Sequence, residues 1–278
     1  MVAVVWGQMT IESACSWEDF ELGDVLGKGG HGIVVKAVHK PSAQQVALKI
    51  MSRRKEDESE LGREELIHKS MDHPMISRFY CRSKVSDRIG INGKTFERGD
   101  PIFVLELVNG RSLRDLMKRS ESLSIPPKGL TRSIIQVLKY LQKEHVVFGD
   151  LSSGNLMITR EGSIKLVDFG AALRIHKDLD QEPTPIFVSY KTRPHRWKNY
   201  AADWYSLGLL LRELLVFERT GIWRDQRSMR GLACMGLLGD TVACDFIGLL
   251  VPPASKWKEI CGTDGKSLRK LESHSWLK

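Results

Sequence analysis

The first hundred residues alternate. "DFELGDVLG" (19–27), "GIVVKAVHK" (32–40) and "QQVALKIM" (44–51) place apolar and polar side chains in turn, with a glycine-rich turn after the first. A period of two predicts half-buried strands. "KEDESELGREELIHKSM" (55–71) is charged and helix-prone and stops before His73-Pro74. "ISRFYCRSKV" (76–85) and "PIFVLELV" (101–108) read as two more strands, separated by "SDRIGINGKTFERGD", a long polar, glycine-containing excursion. After Asn109-Gly110 the period changes. "PPKGLTRSIIQVLKYLQKEH" (126–145) puts Leu130, Ile134, Leu138 and Leu141 on one helical face behind a proline pair. "ADWYSLGLLLRELLVF" (202–217) does the same with Leu207, Leu210, Leu211, Leu214 and Leu215. The pattern predicts an α+β chain with a β-rich N-lobe and an α-helical C-lobe joined near residues 108–111, and ligand sites favour the cleft between such lobes.

Composition narrows the class. Apolar residues make up 42% and charged residues 27% of the 278 positions, as in ordinary globular proteins. No apolar run reaches the roughly 18–20 residues of a membrane span, and the N-terminus has no basic region of a cleaved leader. The five cysteines (Cys15, Cys81, Cys234, Cys244, Cys261) form no C-x-x-C pair, so neither a zinc site nor a disulfide framework is expected. That fits a reducing compartment: the cytoplasm, with the nucleus also open. The net charge of +8 favours acidic or phosphorylated partners. Its basic residues are dispersed, and nucleic acid is not expected as a partner.

Four stretches carry chemistry. "LGKGGHGIVVK" spells G-x-G-x-x-G-x-V with Gly27, Gly29, Gly32 and Val34. Without Cβ atoms such a backbone can fold over phosphates and offer its N–H groups. Glycines are also commonplace in plain hairpin turns. A strand, not a helix, follows them, which argues against a dinucleotide fold. "VALK" ends a strand in Lys49, a compact cation able to reach phosphate oxygens or simply solvated. Glu64 in the charged helix could orient it, with Glu65 as immediate competitor. "VVFGDLSSGNLMI" (146–158) holds Asp150 and Asn155 between two apolar strands. "IKLVDFGAA" (164–172) follows after one hairpin with Asp168-Phe169-Gly170. Either could be an ordinary turn. Together Asp150, Asn155 and Asp168 offer hard oxygen ligands of the kind Mg²⁺ prefers. Asp203 suits a helix N-cap.

In this order, from about residue 20 to 276, the motifs resemble those of the eukaryotic-type protein kinases. The texture of "FELGDVLGKGGHG", Thr184-Pro185, "DWYSLG" and "LESHSWL" is similar to the cyclic-nucleotide-dependent and ribosomal-S6-kinase branch. The resemblance implies a bilobal kinase fold over residues 20–277, with an N-lobe at about 20–108 and a C-lobe at about 109–277, behind an N-terminal extension, 1–19. It implies ATP-dependent transfer to serine or threonine hydroxyls of a protein substrate, with ATP and Mg²⁺ as partners and no membrane span. Gly27, Gly29 and Gly32 would cover the phosphates, and Val34 and Ala47 would line the nucleotide. Lys49 would bind the α- and β-phosphates and pair with Glu64. Glu106 and Val108 would present backbone groups to adenine, with Leu105 as gatekeeper. Asp150 would accept the substrate proton, and Asn155 and Asp168 would hold magnesium. Asp203 would anchor the catalytic-loop backbone.

Several positions depart from the family. Gly149 stands where an arginine normally receives an activation-loop phosphate. Asp180 stands at the usual phosphosite, so activity not gated by loop phosphorylation is expected. Ser152 replaces a lysine that contacts the transferred group. Ser189-Tyr190-Lys191 replaces Ala-Pro-Glu, and Trp257 stands where its usual arginine partner would be placed, so both members of that pair are absent. These departures keep two alternatives in view. One is a pseudokinase scaffold that holds nucleotide with weak or no transfer. The other is a small-molecule phosphotransferase, whose "GDL-x-x-x-N" loop "GDLSSGN" resembles.

Overall fold

A computed structural model describes residues 10–13, 15–30, 32–52, 57–175, 200–224, 240–251 and 272–278. The chain divides between Val108 and Asn109 into two compact units.

The N-terminal unit is built on β1 (Phe20–Lys28), β2 (Gly32–His39), β3 (Gln44–Met51), α1 (Glu58–Lys69), β4 (Phe79–Lys84), β5 (Ile89–Ile91), β6 (Lys94–Phe96) and β7 (Pro101–Glu106). Five of the strands form one antiparallel sheet in the order β1-β2-β3-β7-β4. The alternation read along the chain is the two-sidedness of this sheet. Ile33, Val35, Ala37, Val46, Leu48, Ile50, Ile102 and Val104 fill a core on one face. The residues between them, Val34, Ala47, Lys49, Phe103 and Leu105, share the other face by register. There Phe103 packs with Met51, Leu61 of α1 and Phe79. Asp57 caps α1 by accepting the Ser59 N–H at 3.0 Å.

The polar excursion between β4 and β7 is not structureless. It contains the β5–β6 hairpin, paired Ile89↔Phe96 and Ile91↔Lys94. Asn92 and Gly93 sit at its tip with φ of 47° and 77°, as a two-residue hairpin turn requires. The cysteine expectation is also corrected: Cys15 and Cys81 form a disulfide across 66 residues of sequence, and Cys244 is disulfide-bonded too. Chain spacing carries no information on this pairing, because the fold brings the two Cα atoms to 6.5 Å. Cysteine usage therefore no longer argues for a reducing compartment.

The C-terminal unit holds β8 (Gly110–Ser112), α2 (Leu113–Lys118), α3 (Pro127–Lys143), β9 (Val146–Val147), β10 (Leu156–Thr159), β11 (Ile164–Leu166), β12 (Leu173–Arg174), α4 (Ala201–Thr220) and α5 (Thr241–Leu250). Leu130, Ile134, Leu138 and Leu141 of α3 are buried, as are Leu207, Leu210, Leu211 and Leu214 of α4, while Leu215 is only half-buried. Gly221, at φ 67°, ends α4 and donates its N–H to the Phe217 carbonyl at 2.8 Å. Small sheets β11-β10-β8 and β12-β9 frame the loop from Phe148 to Asn155. No described helix is long and apolar enough to cross a membrane.

Candidate active site

In the N-terminal unit the glycines separate by cause. A Cβ at Gly32 would lie 2.0 Å from the Ile50 carbonyl oxygen, so β2 and β3 approach too closely for any side chain there. A Cβ at Gly27 or Gly29 would meet no described atom within 4 Å. Packing demands the third glycine and leaves the first two to another cause.

Lys49 and Glu64 meet. The helical period buries Leu61, Glu64, Ile67 and His68 on one face of α1, which turns Glu64 inward. Lys49 Nζ donates to Glu64 Oε1 at 2.7 Å, and both side chains are largely shielded from water. Lys49 also lies 6.0 Å from the Phe103 ring centroid. Glu65 goes elsewhere, with its carboxylate 3.6 Å from Arg82. At the end of β7 the Glu106 N–H donates to the Arg78 carbonyl at 2.8 Å, and its carboxylate accepts the Arg78 N–H at 2.9 Å. Leu105 packs beside Phe103 and Phe79.

In the C-terminal unit, Asp150, Asn155 and Asp168 are linked through the chain. Asn155 Nδ2 donates to the Asp150 carbonyl at 3.0 Å and to Asp150 Oδ2 at 2.9 Å. With the amide nitrogen spent on Asp150, the Asn155 side-chain oxygen is the end left for a cation. The Asn155 carbonyl accepts the Val167 N–H at 3.0 Å, which ties β10 to the residue before Asp168. Asp168 is exposed and held at φ 68°, a left-handed conformation that costs a non-glycine residue on the order of 1 kcal/mol or more. Phe169 is fully buried, edge-on to Phe148 at 5.1 Å. Two oxygen donors, one amide and one carboxylate, fit Mg²⁺ and leave room for substrate oxygens and water. Among the described residues no cluster of three or more His, Cys, Asp or Glu side chains could hold a metal by itself.

Gly149 has a physical reason. Its φ is 78°, and a Cβ there would stand 2.6 Å from the Ala171 carbonyl oxygen. A side chain would have to bear a strained backbone and displace that carbonyl. Beside it, Ser153 is buried and donates from Oγ to Glu213 Oε1 at 2.8 Å, which also accepts Trp223 Nε1 at 2.7 Å. Ser152 is buried as well. Composition alone gave no sign of this network, although a glutamate inside the leucine face of α4 was its one signal.

Asp203 is not a cap: α4 starts at Ala201, and its N-cap is Tyr200. From inside the first turn it accepts the Phe148 N–H (Oδ2) and the Gly149 N–H (Oδ1), both at 2.8 Å. Burial pushes its carboxyl up to about 7, against the pull of those two donors, and the Asp150 charge adds to the rise. A carboxyl whose folded pKa exceeds its unfolded value binds its proton more tightly when folded. Its contribution is therefore greatest below pH 4, declines as pH rises toward 7 and is level above. Urea midpoints at pH 5 and pH 7.5, taken for the wild type and Asp203→Asn, measure this. The wild type is expected to lose on the order of 1 kcal/mol per pH unit more than the variant across that window. Parallel pH profiles would remove the assignment.

Asp180, Thr184-Pro185, Ser189-Tyr190-Lys191 and Trp257 lie outside the described residues.

A protein kinase domain model matches residues 20–234. Myosin-IIIa of Mus musculus is 32% identical over 184 residues, 64% of this chain and 11% of that protein. A probable serine/threonine-protein kinase of Dictyostelium discoideum is 30% identical over 71% of this chain and 39% of its own length. The serine/threonine-protein kinase pak-2 of Caenorhabditis elegans is 26% identical over 69% of this chain and 36% of its own. The chain thus spans well under half the length of these relatives. With the family model covering most of its residues, and the strand lysine paired to its helix glutamate, the chain belongs to the protein kinase domain family.

Proposed function

We propose that this chain transfers the γ-phosphoryl group of ATP to serine or threonine hydroxyls of a protein substrate. The observation that carries the reading is the Lys49–Glu64 pair at 2.7 Å. A lysine fixed by a shielded carboxylate is a preorganised cation for phosphate oxygens, whereas a solvated strand-end lysine is not. The serine/threonine names of two relatives support the acceptor class.

The roles follow from the residues. Lys49 holds the α- and β-phosphates, and Gly27, Gly29 and Gly32 let the turn lie close over them. Val34 and Ala47, on the same sheet face as Lys49, line the nucleotide, and Glu106 and Val108 meet adenine through backbone groups. Asp150 accepts the proton of the attacking hydroxyl; the hydroxyl oxygen forms the new bond to the γ-phosphorus as the bond from that phosphorus to the β–γ bridging oxygen breaks and ADP leaves. Asn155 and Asp168 are the residues that would hold Mg²⁺, which supplies neutralisation of phosphate charge when bound. Gly149 and the buried Ser152 supply no charge, so transfer depends more heavily on Lys49 and the metal ligands. With no arginine at position 149, control by a loop phosphate is not part of this reading.

The branch is a finer matter. The resemblance to the cyclic-nucleotide-dependent and S6-kinase branch rests on texture alone. The myosin-IIIa and pak-2 names favour a different branch, and we follow the relatives.

A serine/threonine peptide library with Mg²⁺·ATP, read by mass spectrometry beside a thermal-shift titration of the same nucleotide, tests the proposal. Transfer to serine or threonine is expected. A thermal shift without transfer would mark a nucleotide-holding scaffold instead, and transfer only to small alcohols would mark a small-molecule phosphotransferase.

A further inference from the structure

The glycine turn is held from outside by the β5–β6 hairpin. That hairpin is well rooted: Phe96 is fully buried, Ile89 and Ile91 pack on the core, and Asp100 accepts the Glu97 N–H at 2.9 Å. From its tip, Lys94 Nζ donates to the Gly29 carbonyl at 2.6 Å and to the Gly32 carbonyl at 2.8 Å. In the reverse direction Lys28, the last residue of β1, donates to the Asn92 carbonyl at 2.5 Å. Inside the turn the Gly29 N–H donates to the Gly32 carbonyl at 3.0 Å. The two turns are thus cross-tied by two lysines, and among the described residues no carboxylate pairs with either.

A glycine-rich turn loses more conformational freedom on ordering than any other, so an unheld one pays that cost when its ligand arrives. Here the cost is met on folding. The ammonium groups occupy carbonyl oxygens, the ends of the peptide dipoles that would repel an anion, and they add positive charge beside the turn.

We propose that Lys94, assisted by Lys28, is a positioning residue for a nucleoside triphosphate. The hairpin tip holds the glycine turn in the shape that receives the polyphosphate chain. This rests on the nucleotide-binding reading above.

The experiment uses the full chain with Mg²⁺·ATP and with adenosine as probes, by calorimetry, on the wild type, Lys94→Met and Lys94→Arg. Lys94→Met is expected to weaken ATP about three- to tenfold, the equivalent of one or two hydrogen bonds. Adenosine affinity and the unliganded melting temperature should stay unchanged. KM for ATP should rise at constant kcat, and Lys94→Arg should recover most of the loss. Unchanged ATP affinity in Lys94→Met overturns the inference, as does an equal loss for ATP and adenosine. A wild type that binds no ATP overturns the nucleotide reading itself, and that result is seen before any variant is made.

Discussion

Asp150→Asn is expected to leave the fold intact and to remove phosphoryl transfer. The substitution keeps shape and one oxygen acceptor, so Asn155 Nδ2 can still donate to side chain 150 as it now does at 2.9 Å. The Asp150 carbonyl that accepts the same nitrogen is backbone and unaffected. What disappears is the basic carboxylate. A positioned general base contributes about 10²–10⁴ in rate, so kcat should fall by that factor. Melting temperature and Mg²⁺·ATP affinity should match the wild type, since the residue accepts a proton and does not hold the nucleotide. Three measurements on one preparation decide it: peptide phosphorylation, thermal unfolding and nucleotide binding. Transfer at wild-type rate would end the assignment of Asp150 as base.

The second large effect is at Lys49, where function and stability should part. Lys49→Met removes the cation assigned to the α- and β-phosphates, and transfer should fall by at least about 10², the scale of a lost electrostatic donor. It also removes the ammonium from the 2.7 Å pair and leaves Glu64, 5% exposed, to bury its charge without it. Breaking a shielded pair from one side costs about 3–5 kcal/mol, whereas replacing both members can be nearly neutral. Lys49→Met/Glu64→Gln should therefore melt above Lys49→Met while remaining equally inactive. Denaturant midpoints and peptide phosphorylation of the two variants check this. If the double variant were the less stable of the two, the pair would not be holding α1 to β3 through its charges.

Much of this was readable along the chain because it is periodic. Alternation in 32–39 and 44–51 marks two-sided strands, and the leucine spacings of 130–141 and 207–214 mark the buried helix faces. Glu64 could have been separated from Glu65 by the same period, since it shares a face with Leu61 and Ile67. The β5–β6 hairpin is faint along the chain because its polar residues outweigh its few apolar ones, although Asn92-Gly93 between short alternating runs is a strong hairpin signal. Other features have no local signature. The Cys15–Cys81 bridge depends on where two distant segments end up. Gly149 could be seen as a departure, but its φ and its distance from Ala171 belong to the fold. Asp203 had the composition of a cap, and only the start of α4 at Ala201 shows that it is placed to reach other backbone.

The Asp203 contacts also set an order of events on the ribosome. Phe148 and Asp203 are 55 residues apart, so at about 5–20 residues per second the loop is made roughly 3–11 seconds before its acceptor exists. During that interval the N–H groups of Phe148 and Gly149 can be satisfied only by water, and the loop cannot close into its buried form without leaving them orphaned. Each orphan would cost about 1–3 kcal/mol. Any fragment that ends before α4 therefore makes the loop without its lock, and the shortest piece expected to hold Asp150 in place is one that extends past residue 203.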